Sequence, residues 1–258
     1  MLKSSACLFL TTLSLAISSP ALAQNNTQAL TRVFEDDWWL LGGGVVADSS
    51  PYRETSDLEM SPIPYIAWDK GPLHIGIDGI SYELINSDAF SFEVLVQPRW
   101  TFSAPDDSEL FKDIDRDTGI DAGGSANLDV GFVYFEATGL ADISNVYSGY
   151  EASFKIGSQA QIGSAYVDIG AGFRHRDNKL NLHLYGVSPE ESSTGLVAYA
   201  PQSSTEPFVE MTLAYPLGRN TALIGFAEYN SLSQNVQNSP LIDEGWSANA
   251  GFAILRRF

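Results

Sequence analysis

The sequence predicts an all-β chain, a closed antiparallel transmembrane β-barrel. Three observations carry that expectation. Apolar and polar residues alternate with period two in segment after segment, and no segment keeps a helical period. An export segment stands at the N-terminus, and the last alternating stretch runs to a terminal aromatic, Phe258. Alternation alone also suits a soluble sandwich with its apolar face inward, so the export segment and the terminal strand decide between the two.

Composition narrows the choices. The 258 residues carry 14 Lys+Arg against 32 Asp+Glu, a formal charge of -18. Mean hydropathy is -0.05, too low for helices needing apolar runs of about 20 residues. The negative charge argues against nucleic acid, whose phosphates require clustered Lys and Arg. With 18% charged and 12% aromatic residues, the chain is unlike a disordered acidic one.

Met1 to Ala23 reads as a signal peptide. Lys3 supplies the positive start, Ala6 to Ile17 the apolar stretch, and Ala21-Leu22-Ala23 the cleavage site after Pro20. Residues 24–258 then form the barrel. The single cysteine, Cys7, would leave with the peptide. Disulfides, thiol catalysis and cysteine-ligated metals are thereby excluded from the mature chain.

Twelve strands are expected, at 36–46, 58–68, 71–78, 80–86, 89–103, 127–138, 147–157, 161–175, 179–186, 206–216, 220–231 and 246–258. In 89–103, Phe90, Phe92, Val94 and Val96 alternate with Ser91, Glu93, Leu95 and Gln97. Leu128, Val130, Phe132 and Tyr134 place a strand over 127–138, and Tyr150, Ala152, Phe154 and Ile156 one over 147–157. Ala165 to Phe173, then Leu180, Leu182 and Leu184, then Val209 to Tyr215 repeat the pattern. Trp246, Ala248, Ala250, Phe252 and Ile254 lead to Phe258, as in outer-membrane barrels, with Arg256 departing from the usual apolar residue. The weakest division is Asp78-Gly79; without it, ten strands remain.

An even count puts both termini on one side. Short connections then fall on that side, the periplasmic one: Asp69-Lys70, Asn86 to Asp88, Arg176 to Asn178 and Pro216 to Asn220. Longer outer loops are expected at 47–57, 104–126, 187–205 and 232–245. Trp38, Trp39 and Trp68, with Phe258, would form one membrane girdle, and Trp100 and Trp246 the other, because indole prefers the headgroup region.

A family resemblance rests on residues spread over the whole mature chain. They are Gly42-Gly43-Gly44, Pro62-Ile63-Pro64-Tyr65, Leu110 with Asp115-Arg116-Asp117, and the Gly119 to Gly123 stretch. Asp142-Ile143-Ser144, Leu184-Tyr185-Gly186-Val187-Ser188, Tyr199, Ser239-Pro240 and the aromatic terminus complete the set. In order and spacing the chain resembles the MipA/OmpV family of Gram-negative outer-membrane proteins. The resemblance implies a scaffold that holds a murein transglycosylase and a murein polymerase together at the outer membrane. It brings no catalytic motif, so no active-site residue carries over.

The residues themselves offer little chemistry. The histidines are His74, His175 and His183. His183 is expected to face the lumen near Ser153 or Ser164, yet no local motif supports a Ser–His or Asp–His enzyme, and no catalytic residue or cofactor is expected. The acidic stretch from Asp106 to Asp121 places Asp113, Asp115 and Asp117 like ligands of a calcium loop. Thr118 and Gly124 break the EF-hand pattern, so a solvated loop is the reading, with a short helix over 108–114 capped by Ser108. The expected lumen charges are Glu93, Arg99, Glu151, Lys155, Asp168 and Arg174, together with Glu83, Asp129, Glu210 and Glu228. Glu93/Arg99, Glu151/Lys155 and Asp168/Arg174 could share one charged interior, with Tyr166, Phe208, Phe135 and Leu95 adding bulk. A paired, plugged interior fits a scaffold. A wet interior fits a narrow, cation-leaning pore, and long outer loops fit a surface adhesin.

Overall fold

The computed structural model describes residues 33–34, 37–55, 58–101, 110–114, 116–193 and 195–258. The expected signal peptide and Cys7 lie outside the described residues.

Twelve antiparallel strands close into one barrel. They are β1 (Trp38–Ser49), β2 (Glu59–Lys70), β3 (Leu73–Gly76), β4 (Gly79–Asn86), β5 (Phe90–Arg99) and β6 (Gly119–Val130). The second half is β7 (Val133–Asp142), β8 (Tyr150–Ile162), β9 (Ala165–Arg176), β10 (Ser204–Pro216), β11 (Thr221–Ser231) and β12 (Trp246–Arg257). Each strand pairs with its sequence neighbours. The ring closes where β1 meets β12, from Leu40↔Arg257 to Ser49↔Ala248.

The side chains are turned inside out relative to a soluble protein. Phe252, Ile254, Ile169, Phe173, Phe154 and Ile156 stand exposed on the outer wall, while Lys155, Glu136, Arg174 and Glu210 are buried within. Lipid is the solvent that makes the outer face favourable: it accepts the apolar wall, while the ring of strands closes on itself.

Turns on the side of the termini are short. Gly131 (φ 69°) and Gly163 (φ 64°) occupy the left-handed region that two-residue hairpins require. The opposite side carries the long connections. The stretch between β9 and β10 contains helix α1 (Asn178–Tyr185), and the one between β11 and β12 contains the short helix α2 (Gln234–Gln237).

The strand count agrees with the sequence reading through two errors that cancel. The stretch 179–186 is helix α1, not a strand. Its three alternating leucines suit one turn and a half of helix equally well, and Asp177 caps it by accepting from Leu180 N at 2.9 Å. The stretch 127–138 is not one strand, because it crosses the turn at Gly131-Phe132. β6 begins at Gly119, inside the expected loop 104–126, and its Gly-rich start gives little β signal. Arg176 to Asn178 consequently lies on the outer side. β3 and β4 pair with each other from Gly76↔Gly79 to Leu73↔Tyr82, which removes the ten-strand alternative. The helix expected over 108–114 starts outside the described residues; Phe111 to Ile114 forms a turn, with Ile114 N donating to Phe111 O at 2.9 Å.

Candidate functional site: a sealed, ion-paired lumen

Inward residues of successive strands bring charges of both signs together at two depths. In the outer half, Glu151 on β8 faces three arginines. Arg99 Nη1 lies 3.2 Å away, Arg176 Nε 2.9 Å and Arg174 Nε 3.8 Å. Arg99 also closes on Asp121 at 2.6 Å, Arg176 on Glu206 at 2.5 Å, and Arg174 on Glu228 at 3.2 Å and Asn230 at 2.7 Å. Tyr147 donates its hydroxyl to Asp121. One turn of the ladder deeper, Lys155 Nζ sits 3.0 Å from Glu136 and 2.8 Å from Glu210. Beside it Tyr134 Oη donates to Asp168 at 2.7 Å. Lys155 lies over the Tyr134 ring at 5.4 Å, and Arg174 over Phe208 at 4.8 Å.

Arg99 on β5 reaches Glu151 on β8 past two intervening strands, and Lys155 on β8 reaches Glu210 on β10 over Gly170 of β9, so these side chains extend into the lumen. Acids outnumber bases, and the interior stays acidic with every one of these cations paired.

Apolar clusters stand at both ends. At the periplasmic end, Trp38, Leu40, Tyr65, Ile224, Ala253 and Leu255 pack with Phe34 into an apolar plug. At the outer end, Phe111, Ile114, Val187, Leu196 and Leu241 form one apolar cap, and Tyr185, Leu232, Val236 and Ile242 a second. Buried bonds lock the caps: Tyr52 Oη to Leu184 O at 3.0 Å, Ser239 Oγ to Tyr185 O at 2.6 Å, and Arg116 to Glu191. Partial burial raises the Glu191 carboxyl, but the Arg116 guanidinium and the Ser188 N–H outweigh it and hold it below 4.5. Burial and the Arg116 charge push His183 below 6.5.

Of the expected lumen charges, Arg99, Glu151, Lys155, Asp168 and Arg174 are buried inside, and Glu93 is inward and half-buried. Within that shared interior the ion pairs join different strands. Residues four to six apart on one strand are separated by roughly 13–20 Å, whereas neighbouring strands stand about 5 Å apart, so ion pairs form sideways. Asp121, Glu136, Arg176 and Glu206 were missed. Asp121 fell in the supposed loop, Arg176 in a supposed turn, Glu206 at a strand boundary, and Glu136 beyond the hidden turn. A two-residue turn flips parity, so Tyr134 points inward, while Phe135 points outward and stacks on Phe154 at 6.3 Å.

The girdle needs one correction. Trp38 and Trp39 are consecutive and must face opposite ways. Trp39 is outward and stacks on Trp68 at 5.5 Å, but Trp38 is 2% exposed and belongs to the plug. Trp246 is outward and stacks on Tyr229 at 6.0 Å; Trp100 is half-buried just beyond β5; Phe258 is exposed and its N–H donates to Trp39 O at 2.9 Å.

The histidines form no hydrolytic arrangement among the described residues. His74 is held at both ring nitrogens, by Asp69 at 2.8 Å and Asp78 at 3.1 Å. His175 meets Thr205 at 2.9 Å. His183 lies on α1, stacked on Tyr147 at 5.1 Å, not on a strand beside Ser153 or Ser164. Asp113 and Asp117 are exposed, Asp115 lies outside the described residues, and the described residues contain no cluster suited to a metal ion.

Comparison with known proteins places this barrel among relatives. A family model described as MltA-interacting protein MipA matches residues 41–258. A protein described as an outer membrane protein, YiaT of Escherichia coli O157:H7, is 25% identical over 222 residues, covering 84% of this chain and 90% of that one. The MltA-interacting protein of Escherichia coli strain K12 is 27% identical over 223 residues, covering 84% and 89%. Among solved structures, the toluene transporter TbuX of Ralstonia pickettii gives a TM-score of 0.45 at 10% identity, covering 93% of this chain and 94% of that one.

Proposed function

The chain belongs to the MltA-interacting protein MipA family, and from that premise we propose that it is a non-enzymatic outer-membrane scaffold. It links a murein-degrading transglycosylase with a murein-synthesising polymerase on the periplasmic side. The barrel anchors, and its short turns and termini present the docking surface. A relative is named for its interaction with MltA, which supports a murein-related partner. The observation that carries the reading is a lumen whose buried charges are paired and whose ends hold apolar clusters. That arrangement favours the protein's surfaces over a channel as its means of acting. The occupied nitrogens of His74 and the placement of His183 favour a role without catalysis.

The test is a pull-down from envelope extracts with the full chain in detergent. Recovery of a murein transglycosylase, lost on replacing the exposed turn residues Phe132 and Leu217 by Ser, is the expected result. Recovery of surface ligands alone, captured through the outer loops, would overturn the scaffold reading.

A further inference from the structure

The barrel wall is not of even height. β3 has four residues, and its connection to β4 on the outer side is only Ile77-Asp78. β2 pairs with β3 at Ala67–Lys70, and the last contact is Ile77 N donating to Ile66 O at 3.2 Å. Above that point β2 continues to Glu59, paired on its other side with β1 as far as Asp48↔Glu59. Among the described residues, no strand pairs with the opposite edge of β2 over Glu59–Tyr65. Across the gap, β5 outruns β4, whose pairing stops at Ile80↔Val96. Among the described residues, a notch two strands wide therefore stands in the outer half of the wall, between β2 and β5.

The backbone of this edge is unusual. Successive residues of a strand send their N–H and C=O to alternate sides. Ile66 O points to β3, so on β2 the even residues face the notch: Pro64, Pro62 and Met60. On β5, Phe90 O accepts from Ser87 N on the β4 side, and Ala89 O accepts from Asp129 N on the β6 side. Even residues therefore face β4 there too, and the one at the lip of the notch is Pro98. All three prolines occupy positions whose N–H would otherwise point unpaired into the gap. Proline has none to leave unpaired.

The notch lies at membrane depth. From the interfacial Trp68 to Met60 is about 20 Å along the membrane normal for a tilted strand, close to the height of the apolar band. Its outward rim is apolar and exposed, with Met60 at 67%, Ile80 at 50% and Val96 at 41%, and with Pro62 and Pro64 exposed as well. A docking strand would need N–H donors from this edge, and the prolines have removed them. An acyl chain needs none.

We propose that the notch between β2 and β5 is a lateral binding site for one acyl chain of an outer-leaflet lipid, laid along the proline edge and reaching the inward-facing, half-buried Ser61, with Ile63 buried beneath it. The site stands independently of any murein partner.

The test uses the full chain refolded into phosphatidylcholine vesicles that contain a lipid with a diazirine on its acyl chain. After illumination, adducts are located by mass spectrometry. Adducts are expected on the outward Met60 and Val96, and also on the half-buried Ser61. None is expected on Phe208, which faces inward behind fully paired strands. A notch-filling Pro62→Trp variant, shown to be folded by its heat-modifiable migration, should lose the Ser61 adduct and keep that on Met60. Labelling confined to outward residues would show the wall closed to lipid and overturn the proposal. Survival of the Ser61 adduct in Pro62→Trp would also overturn it.

Discussion

Replacing Lys155 by Met removes a cation held between two buried glutamates. The substitution nearly preserves volume and leaves the backbone alone. Glu136 and Glu210 hold Lys155 Nζ at 3.0 and 2.8 Å, and all three side chains are at most 2% exposed. Their facing oxygens are consequently no more than about 6 Å apart. Two charges at that separation repel by roughly 3 kcal/mol at an effective dielectric constant of about 20. Breaking a buried pair by deleting one partner costs about 3–5 kcal/mol in general, and the two figures agree. The assay is urea unfolding of the barrel in phospholipid vesicles, followed by tryptophan fluorescence. Lys155→Met should lose about 3–5 kcal/mol, and adding Glu136→Gln and Glu210→Gln should recover most of that loss by removing the stranded charges. A single variant within about 0.5 kcal/mol of wild type, as at a surface position, would refute the reasoning, because it would mean that water already solvates these carboxylates.

Three further outcomes follow from the same geometry. A Cβ at Gly157 would stand 2.2 Å from the Tyr134 ring, so Gly157→Ala should force Tyr134 off Asp168 and lower stability by about 1–3 kcal/mol in the same unfolding assay. The outer cap should loosen in acid. His183 is held below 6.5, so between its folded value and 6.5 the unfolded chain binds the extra proton, and stability falls as pH drops through that window. Glu191, held below 4.5, adds stability that is complete above 4.5 and is lost as pH falls further. Limited proteolysis at 187–199 should therefore quicken from pH 7 to pH 5 and again below 4.5; unchanged or slower cleavage would contradict the assignment. Trp39→Ala removes half of the Trp39–Trp68 stack, and the other tryptophans should keep their blue-shifted emission in vesicles while unfolding shifts to lower urea by about 1 kcal/mol.

Much of the barrel was legible in the sequence because period-two alternation is a direct image of a wall with lipid on one side. Strands such as β5, β8 and β10 could be read at once. Legibility failed where two signals overlapped. Leu180, Leu182 and Leu184 satisfy a strand's period, and only Asp177 at the cap marks the helix. Gly131-Phe132 hides a reversal inside unbroken alternation, and the missed turn carried Glu136 and Phe135 to the wrong faces. Individual lumen residues were visible as charges on apolar strands, but their partners were not. Pairing depends on register and on which strands face one another across the lumen, and neither is written in local sequence. The prolines of β2 stood out for their resemblance to the family; that they face a missing neighbour needs the topology.

The account depends most on the interior being solid. The direct measurement is planar-bilayer conductance of the full chain, refolded and inserted at high protein-to-lipid ratio across a range of voltages and in molar potassium chloride. A lumen narrowed by Arg99–Glu151 and Lys155–Glu210, with the Trp38 and Phe111 clusters at its ends, should give a quiet membrane. Regular single-channel steps selective for cations would contradict it and return the protein to the diffusion pores.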